Sequence, residues 1–157
     1  MLAPQAGSTL RPGTHLVRMR ISDSDDMGSV LVVDDDDDSR EAVGRFLSKA
    51  GYAVRSARNG REALVAVATM VPDVIILDAR MPEMSGLEFL QVIRSYLRWS
   101  VVPVILLTAF DQGPHIDRAR DFGVGCIFLK ASYQLPDLLA CVNQLRGDPG
   151  AKCGTAG

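Results

Sequence analysis

A surplus of positive charge is missing from this chain: seventeen Lys and Arg stand against nineteen Asp and Glu, a net charge of -2. Binding a nucleic-acid backbone usually draws on such a surplus, so no direct contact with nucleic acid is expected. Histidine and cysteine are scarce as well. The two histidines, His15 and His115, and the three cysteines, Cys126, Cys141 and Cys153, form no C-x-x-C pair and no zinc-ligand spacing. Their odd number and scatter read as reduced thiols in a cytoplasmic protein. No apolar run approaches the ~18 residues of a membrane span, and the first residues lack the apolar centre of a signal peptide. Neither membrane insertion nor export is expected. What remains is 47% hydrophobic and 23% charged, enough to bury a core and too apolar for an intrinsically disordered chain. The 157 residues leave room for one domain and short tails.

Residues 1–28 carry Pro4, Pro12 and the acidic cluster Asp23, Asp25 and Asp26 with little hydrophobic periodicity, and read as a disordered tail. On this reading Met19 and Met27 are candidate translation starts within it. Residues 147–157, GDPGAKCGTAG, are Gly-rich and too short to fold alone. Between these tails, over residues 29–146, five short apolar runs alternate with segments of helical period: Val30 to Val33, Ala53 to Ala57, Val74 to Leu77, Val102 to Leu107 and Cys126 to Leu129. The first, third and fourth are apolar almost throughout, as strands covered on both faces are. Helices are expected over Ser39 to Ala50 and Arg61 to Met70, from about Gly86, from Pro114 to about Gly123, and from Pro136. The pattern predicts an α/β fold, a (βα)5 doubly wound parallel sheet.

In such a sheet ligands bind beyond the carboxyl ends of the strands. The first strand is followed by Asp34 through Asp38, the third by Asp78, the fourth by Thr108 and the fifth by Lys130. With flavodoxin-like strand order 2-1-3-4-5, Asp34, Asp35 and Asp78 converge. Two carboxylates ~4 Å apart repel by about 4 kcal/mol at an effective dielectric of 20, so three of them require a cation or a proton. Oxygen ligands without histidine or cysteine suit Mg²⁺ or Mn²⁺. Lys130 and Thr108 add an ammonium and a hydroxyl for phosphate oxygens, and a carboxylate can itself accept a phosphoryl group. Asp78, alone at its strand end, is the candidate acceptor. Taken singly each residue has a plainer role: the aspartate run is a solvated loop in which Asp37 or Asp38 caps a helix, and Thr108 and Lys130 merely end strands.

The segments VLVVDDD at 30–36, DVIILDARMPEMSGLEFL at 73–90, VPVILLTA at 102–109 and CIFLK at 126–130 resemble the receiver domain of two-component response regulators. The resemblance spans residues 30–145. It implies that Asp78 accepts a phosphoryl group from a histidine kinase or histidine phosphotransfer protein. Asp34 and Asp35, the Asp78 carboxylate and the backbone carbonyl of Arg80 would hold Mg²⁺. Thr108 would turn to bind the phosphoryl oxygen and Lys130 would pair with it. The face made by helix four, strand five and helix five would then bind a downstream protein. On this reading the chain is a stand-alone phosphoacceptor and not a turnover enzyme, beyond self-catalysed transfer and slow autodephosphorylation.

Three positions depart from the family pattern. Ala131 follows Lys130 where proline, often in a cis peptide, is usual, and the segment to Pro136 is one residue longer. Ile127 stands where an aromatic partner of the threonine is common, and Phe128 beside it faces the other way. Arg80 and Phe110 fill the variable positions beside Asp78 and Thr108. Two other classes stay open. A pseudo-receiver would act as a phosphorylation-independent interaction module. A phosphatase of the haloacid dehalogenase type would use Asp34-x-Asp36, although only Asp137 and Asp148 remain to supply its later acidic pair.

Overall fold

The computed structural model describes residues 27–110 and 112–147. The expected tails lie almost wholly outside these residues, as does Cys153. Strands β1 (Ser29–Val33), β2 (Ala53–Ala57), β3 (Val74–Asp78), β4 (Val104–Thr108) and β5 (Cys126–Leu129) alternate with helices α1 (Asp37–Lys49), α2 (Gly60–Thr69), α3 (Gly86–Arg94), α4 (Pro114–Asp121) and α5 (Leu135–Gly147). All strand pairs are parallel, in the order β2-β1-β3-β4-β5. That is the (βα)5 fold expected from the alternation of runs, in the flavodoxin-like strand order under which Asp34, Asp35 and Asp78 converge.

Two cores follow from the two-residue period of the strands. Leu31, Val33, Ile75, Leu77, Leu106 and Ile127 face Ala63 and Val67 of α2, Phe89 and Ile93 of α3, and Ile116 of α4. Val32, Val74, Ile76, Leu107 and Phe128 face Val43 and Leu47 of α1 and Leu138, Val142 and Leu145 of α5. Every residue of β3 and β4 is buried, which is why those runs show no polar alternation. Each fully buried Leu, Ile or Phe contributes about 1.5 to 3 kcal/mol, so these layers carry most of the fold's stability.

Boundaries moved where caps decided them. Helix α1 starts at Asp37, two residues before the expected Ser39, and its cap is Asp36, whose side chain makes no capping bond. The expected role of Asp37 or Asp38 as a cap is therefore not realised; both lie inside the first turn, favourably placed at the positive end of the helix dipole. Asn59 caps α2 by accepting the Glu62 N–H, and Ser85 with Glu88 forms a full capping box on α3.

One expectation is overturned. Cys126 and Cys141, read from the sequence as reduced thiols, are joined by a disulfide between β5 and α5. The period of β5 turns Cys126 toward α5, where Cys141 lies on the buried face, a pairing of distant residues that no short-range spacing rule detects.

Candidate functional site

The register of the central strands assembles the site. Val33 pairs with Leu77, so Asp34 emerges beside Asp78 at the carboxyl ends of β1 and β3. Asp78 pairs with Leu107 and Thr108 with Leu129, which brings Thr108 and Lys130 to the same edge. Backbone bonds beyond the strands extend this order: Asp34 N–H donates to Ala57 O at 3.1 Å, Ala79 N–H to Leu107 O at 2.9 Å and Lys130 N–H to Thr108 O at 2.8 Å. By the same two-residue period Asp34, Asp78 and Lys130 share the α1/α5 side, whereas Thr108 belongs to the opposite side.

Asp34, Asp78 and Thr108 are only 1%, 3% and 2% exposed, three polar residues at the rim of an otherwise apolar interior. Burial of that kind is costly unless each group is bonded. Lys130 Nζ lies 3.4 Å from both Asp34 Oδ2 and Asp78 Oδ2, bridging the two carboxylates. Asp34 Oδ1 accepts the Asp36 N–H at 2.9 Å, and Asp78 Oδ1 accepts the Arg80 N–H at 3.2 Å. The structure thus joins Arg80 to the site through its N–H. Thr108 Oγ1 donates to Phe110 O at 3.0 Å and accepts from Phe110 N–H at 3.2 Å. Its single proton must leave Phe110 before it can serve an oxygen at Asp78.

Electrostatics mark Asp78 as the unusual acid. Its pKa is pushed up to about 7, first by burial and then by the neighbouring Asp34 charge, against the Arg80 N–H and Lys130, which pull it down. Burial alone would lower the Lys130 pKa, but the Asp34 and Asp78 carboxylates outweigh it and hold the ammonium above its ordinary value. One oxygen from each of Asp34, Asp35 and Asp78 lies within 4.8 Å of the others. Hard oxygen donors in excess of the nearby positive charge fit a divalent cation of the Mg²⁺ or Mn²⁺ kind. Asp36, Asp37 and Asp38 do not join this cluster.

Close packing fixes the acceptor's backbone. A Cβ on Gly86 would lie 2.3 Å from Asp78 O and 3.0 Å from Ala79 Cα, so α3 can start against the acceptor strand only with glycine there. Two residues that sequence reading passed over also reach the site. Tyr133 stands on the β5–α5 connection, its ring centroid 6.0 Å from that of Phe128, and the pKa of its phenol is pushed up by burial and by the Asp34 charge. Arg40 donates from Nη1 to Asp34 O at 2.8 Å. Tyr133 gave no signal because it follows a departure from the family pattern; Arg40 gave one, a cation near the start of an acidic helix.

The departures are visible too. The described residues contain no cis peptide, so the Lys130–Ala131 bond is trans. Leu129 O accepts the N–H groups of Ser132 and Tyr133, each at 3.1 Å, and this turn accommodates the longer segment while Lys130 keeps its place. Ile127 is buried toward α4 and Phe128 toward α5, so Phe128 does not replace the missing aromatic.

Comparison with known proteins gives a consistent picture. Residues 30–143 match the model of the response regulator receiver domain. The chain is 39% identical over 116 residues to response regulator MprA of Mycolicibacterium vanbaalenii, covering 74% of this chain and 49% of that protein. It thus spans about half the length of the curated relatives it matches. Among solved structures it is similar to the chemotaxis protein CheY4 of Vibrio cholerae, with 32% identity and a TM-score of 0.70 over 75% of this chain and 98% of that one. It is also similar to the signal receiver domain of a histidine kinase from Syntrophus aciditrophicus, with 30% identity and a TM-score of 0.71 over 76% and 90% of the respective chains.

Proposed function

Because the chain belongs to the response regulator receiver domain family, we propose that Asp78 is its phosphoacceptor and that a histidine kinase or histidine phosphotransfer protein is the donor. The observation that carries this reading is Lys130 bridging two buried carboxylates, one of which has a pKa raised to about 7. A buried acid and cation at a strand end have no role in holding the fold that an apolar pair would not fill better.

In the transfer, one oxygen of the Asp78 carboxylate attacks phosphorus and the bond to the donor's imidazole nitrogen breaks, with the nitrogen keeping the electron pair. An acyl phosphate results. Asp78 must be unprotonated to act, and Lys130 favours that form. Asp34 and Asp35, with the Asp78 carboxylate and the Arg80 carbonyl, would hold Mg²⁺ or Mn²⁺. When bound, such a cation neutralises phosphoryl oxygens and lowers the repulsion the incoming group meets. Thr108 then releases Phe110 and donates to a phosphoryl oxygen while Lys130 pairs with another. Replacing the carboxylate's single charge by an acyl phosphate carrying about two negative charges biases β5 and the α4 end of the sheet, and the α4–β5–α5 face is the reading's surface for a downstream protein. The reading places this event in the cytoplasm. Among the described residues no helix is long and apolar enough to cross a membrane.

The test is intact-protein mass after incubation with acetyl phosphate and Mg²⁺. One phosphoryl adduct on the wild type, lost in Asp78→Asn and in EDTA, is expected; an adduct on Asp78→Asn contradicts the site. A second reading, a phosphorylation-independent interaction module, is favoured by Ile127 and Ala131. It calls for no adduct and for partner binding that ignores Asp78→Asn.

A further inference from the structure

We propose that Arg40 is a positioning residue for the cation site, fixing the peptide that joins two of its acidic ligands, Asp34 and Asp35. The inference rests on the reading of those residues as metal ligands. Arg40 is the fourth residue of α1, a helix that opens with Asp37 and Asp38. A cation near the amino end of a helix opposes the helix dipole, so helix formation does not account for it. Nor does solvation. The Arg40 side chain is 15% exposed, against 64% and 66% for Arg45 and Arg58, which make ordinary exposed pairs with Glu41 and Glu62.

Its guanidinium is spent on the β1–α1 loop. Nη1 donates to the backbone oxygen of Asp34 at 2.8 Å, and Nη2 forms an ion pair with Asp37. The Asp34 carbonyl is one half of the peptide unit leading into Asp35, whose own side chain is exposed. An exposed carboxylate points where its backbone sends it, so the orientation of that peptide sets where the Asp35 oxygens fall relative to Asp34 and Asp78. Asp34 itself is held on its other sides by Ala57 O, the Asp36 N–H and Lys130. Arg40 supplies the remaining restraint, and the planar fork of a guanidinium can hold Asp34 O and Asp37 at once, which an ammonium does less well.

Groups that orient metal ligands without touching the metal typically change affinity by about 10 to 100-fold when removed. The experiment is calorimetric titration of the full chain with Mg²⁺, for the wild type, Arg40→Ala, Arg40→Lys and Asp37→Asn, with thermal melting of each in EDTA. Expected are a loss of about tenfold or more in Arg40→Ala, a smaller loss in Arg40→Lys, and weakening in Asp37→Asn, an exposed first-turn position whose helix-dipole contribution is read separately by the melting in EDTA. Wild-type affinity in Arg40→Ala and Asp37→Asn overturns the inference alone. Equal losses in the Ala and Lys variants that track a lower melting temperature in EDTA also overturn it, since they report a loosened helix. Absence of Mg²⁺ binding by the wild type overturns the metal reading and this inference with it.

Discussion

Asp78 is held between opposing influences, and the balance has a measurable sign. Its folded pKa of about 7 lies above the ordinary carboxylate value of about 3.9, so between those pH values the folded state binds more protons than the unfolded one. Stability contributed through Asp78 is therefore present at low pH and lost as pH rises toward 7. In EDTA the melting temperature is expected to fall between pH 5 and pH 8, and Mg²⁺ should restore it most at pH 8, where Asp78 is charged. Asp78→Asn should remove much of that fall and melt about 3 °C or more above the wild type at pH 8 without metal. A pH-independent melting temperature in EDTA, or a less stable Asn variant, would count against the electrostatics described here.

At the scale of elements, β1, β3 and β4 were legible because strands buried on both faces leave unbroken Val, Ile and Leu runs. Helix starts were less so, since α1 begins at an aspartate that only tertiary placement distinguishes from its four neighbours. The link between β5 and α5 was not legible at all. Cys126 and Cys141 meet because strand parity and helix phase happen to coincide, and neither quantity is fixed until the sheet forms. Closing a separation of 15 residues, the bridge should stabilise by about 3 kcal/mol in the chain-entropy account. Melting with and without dithiothreitol checks this: reduction is expected to lower the transition by several degrees, and paired substitution of both cysteines by alanine should reproduce the lowered value and abolish the response. Unchanged melting together with two titratable thiols in the untreated protein would contradict the bridge.

Across the whole molecule, the chemistry occupies one edge of the sheet and is built from four strands, so each residue reaches the site by register and none by local sequence. That is why the candidates Asp34, Asp35, Asp78, Thr108 and Lys130 could be listed in advance from strand ends, while Arg40 and Tyr133 were passed over: they enter from a helix and a loop. The described structure brings Asp34, Asp35, Asp78 and Lys130 together and leaves Thr108 bonded to Phe110. Phosphorylation would therefore act on Thr108 by competition, drawing its proton from a backbone carbonyl to a charged oxygen. With Ile127 rather than an aromatic behind it, the movement would pass to α4 through aliphatic packing against Ile116 and Ala119.

The most direct measurement locates the acyl phosphate itself. After incubation with acetyl phosphate and Mg²⁺, reduction with borohydride converts an aspartyl phosphate to homoserine, and peptide mass spectrometry reads the position. Homoserine at Asp78 alone, absent when EDTA replaces Mg²⁺, is the result expected; homoserine at Asp34 or Asp35 with Asp78 intact would contradict the account.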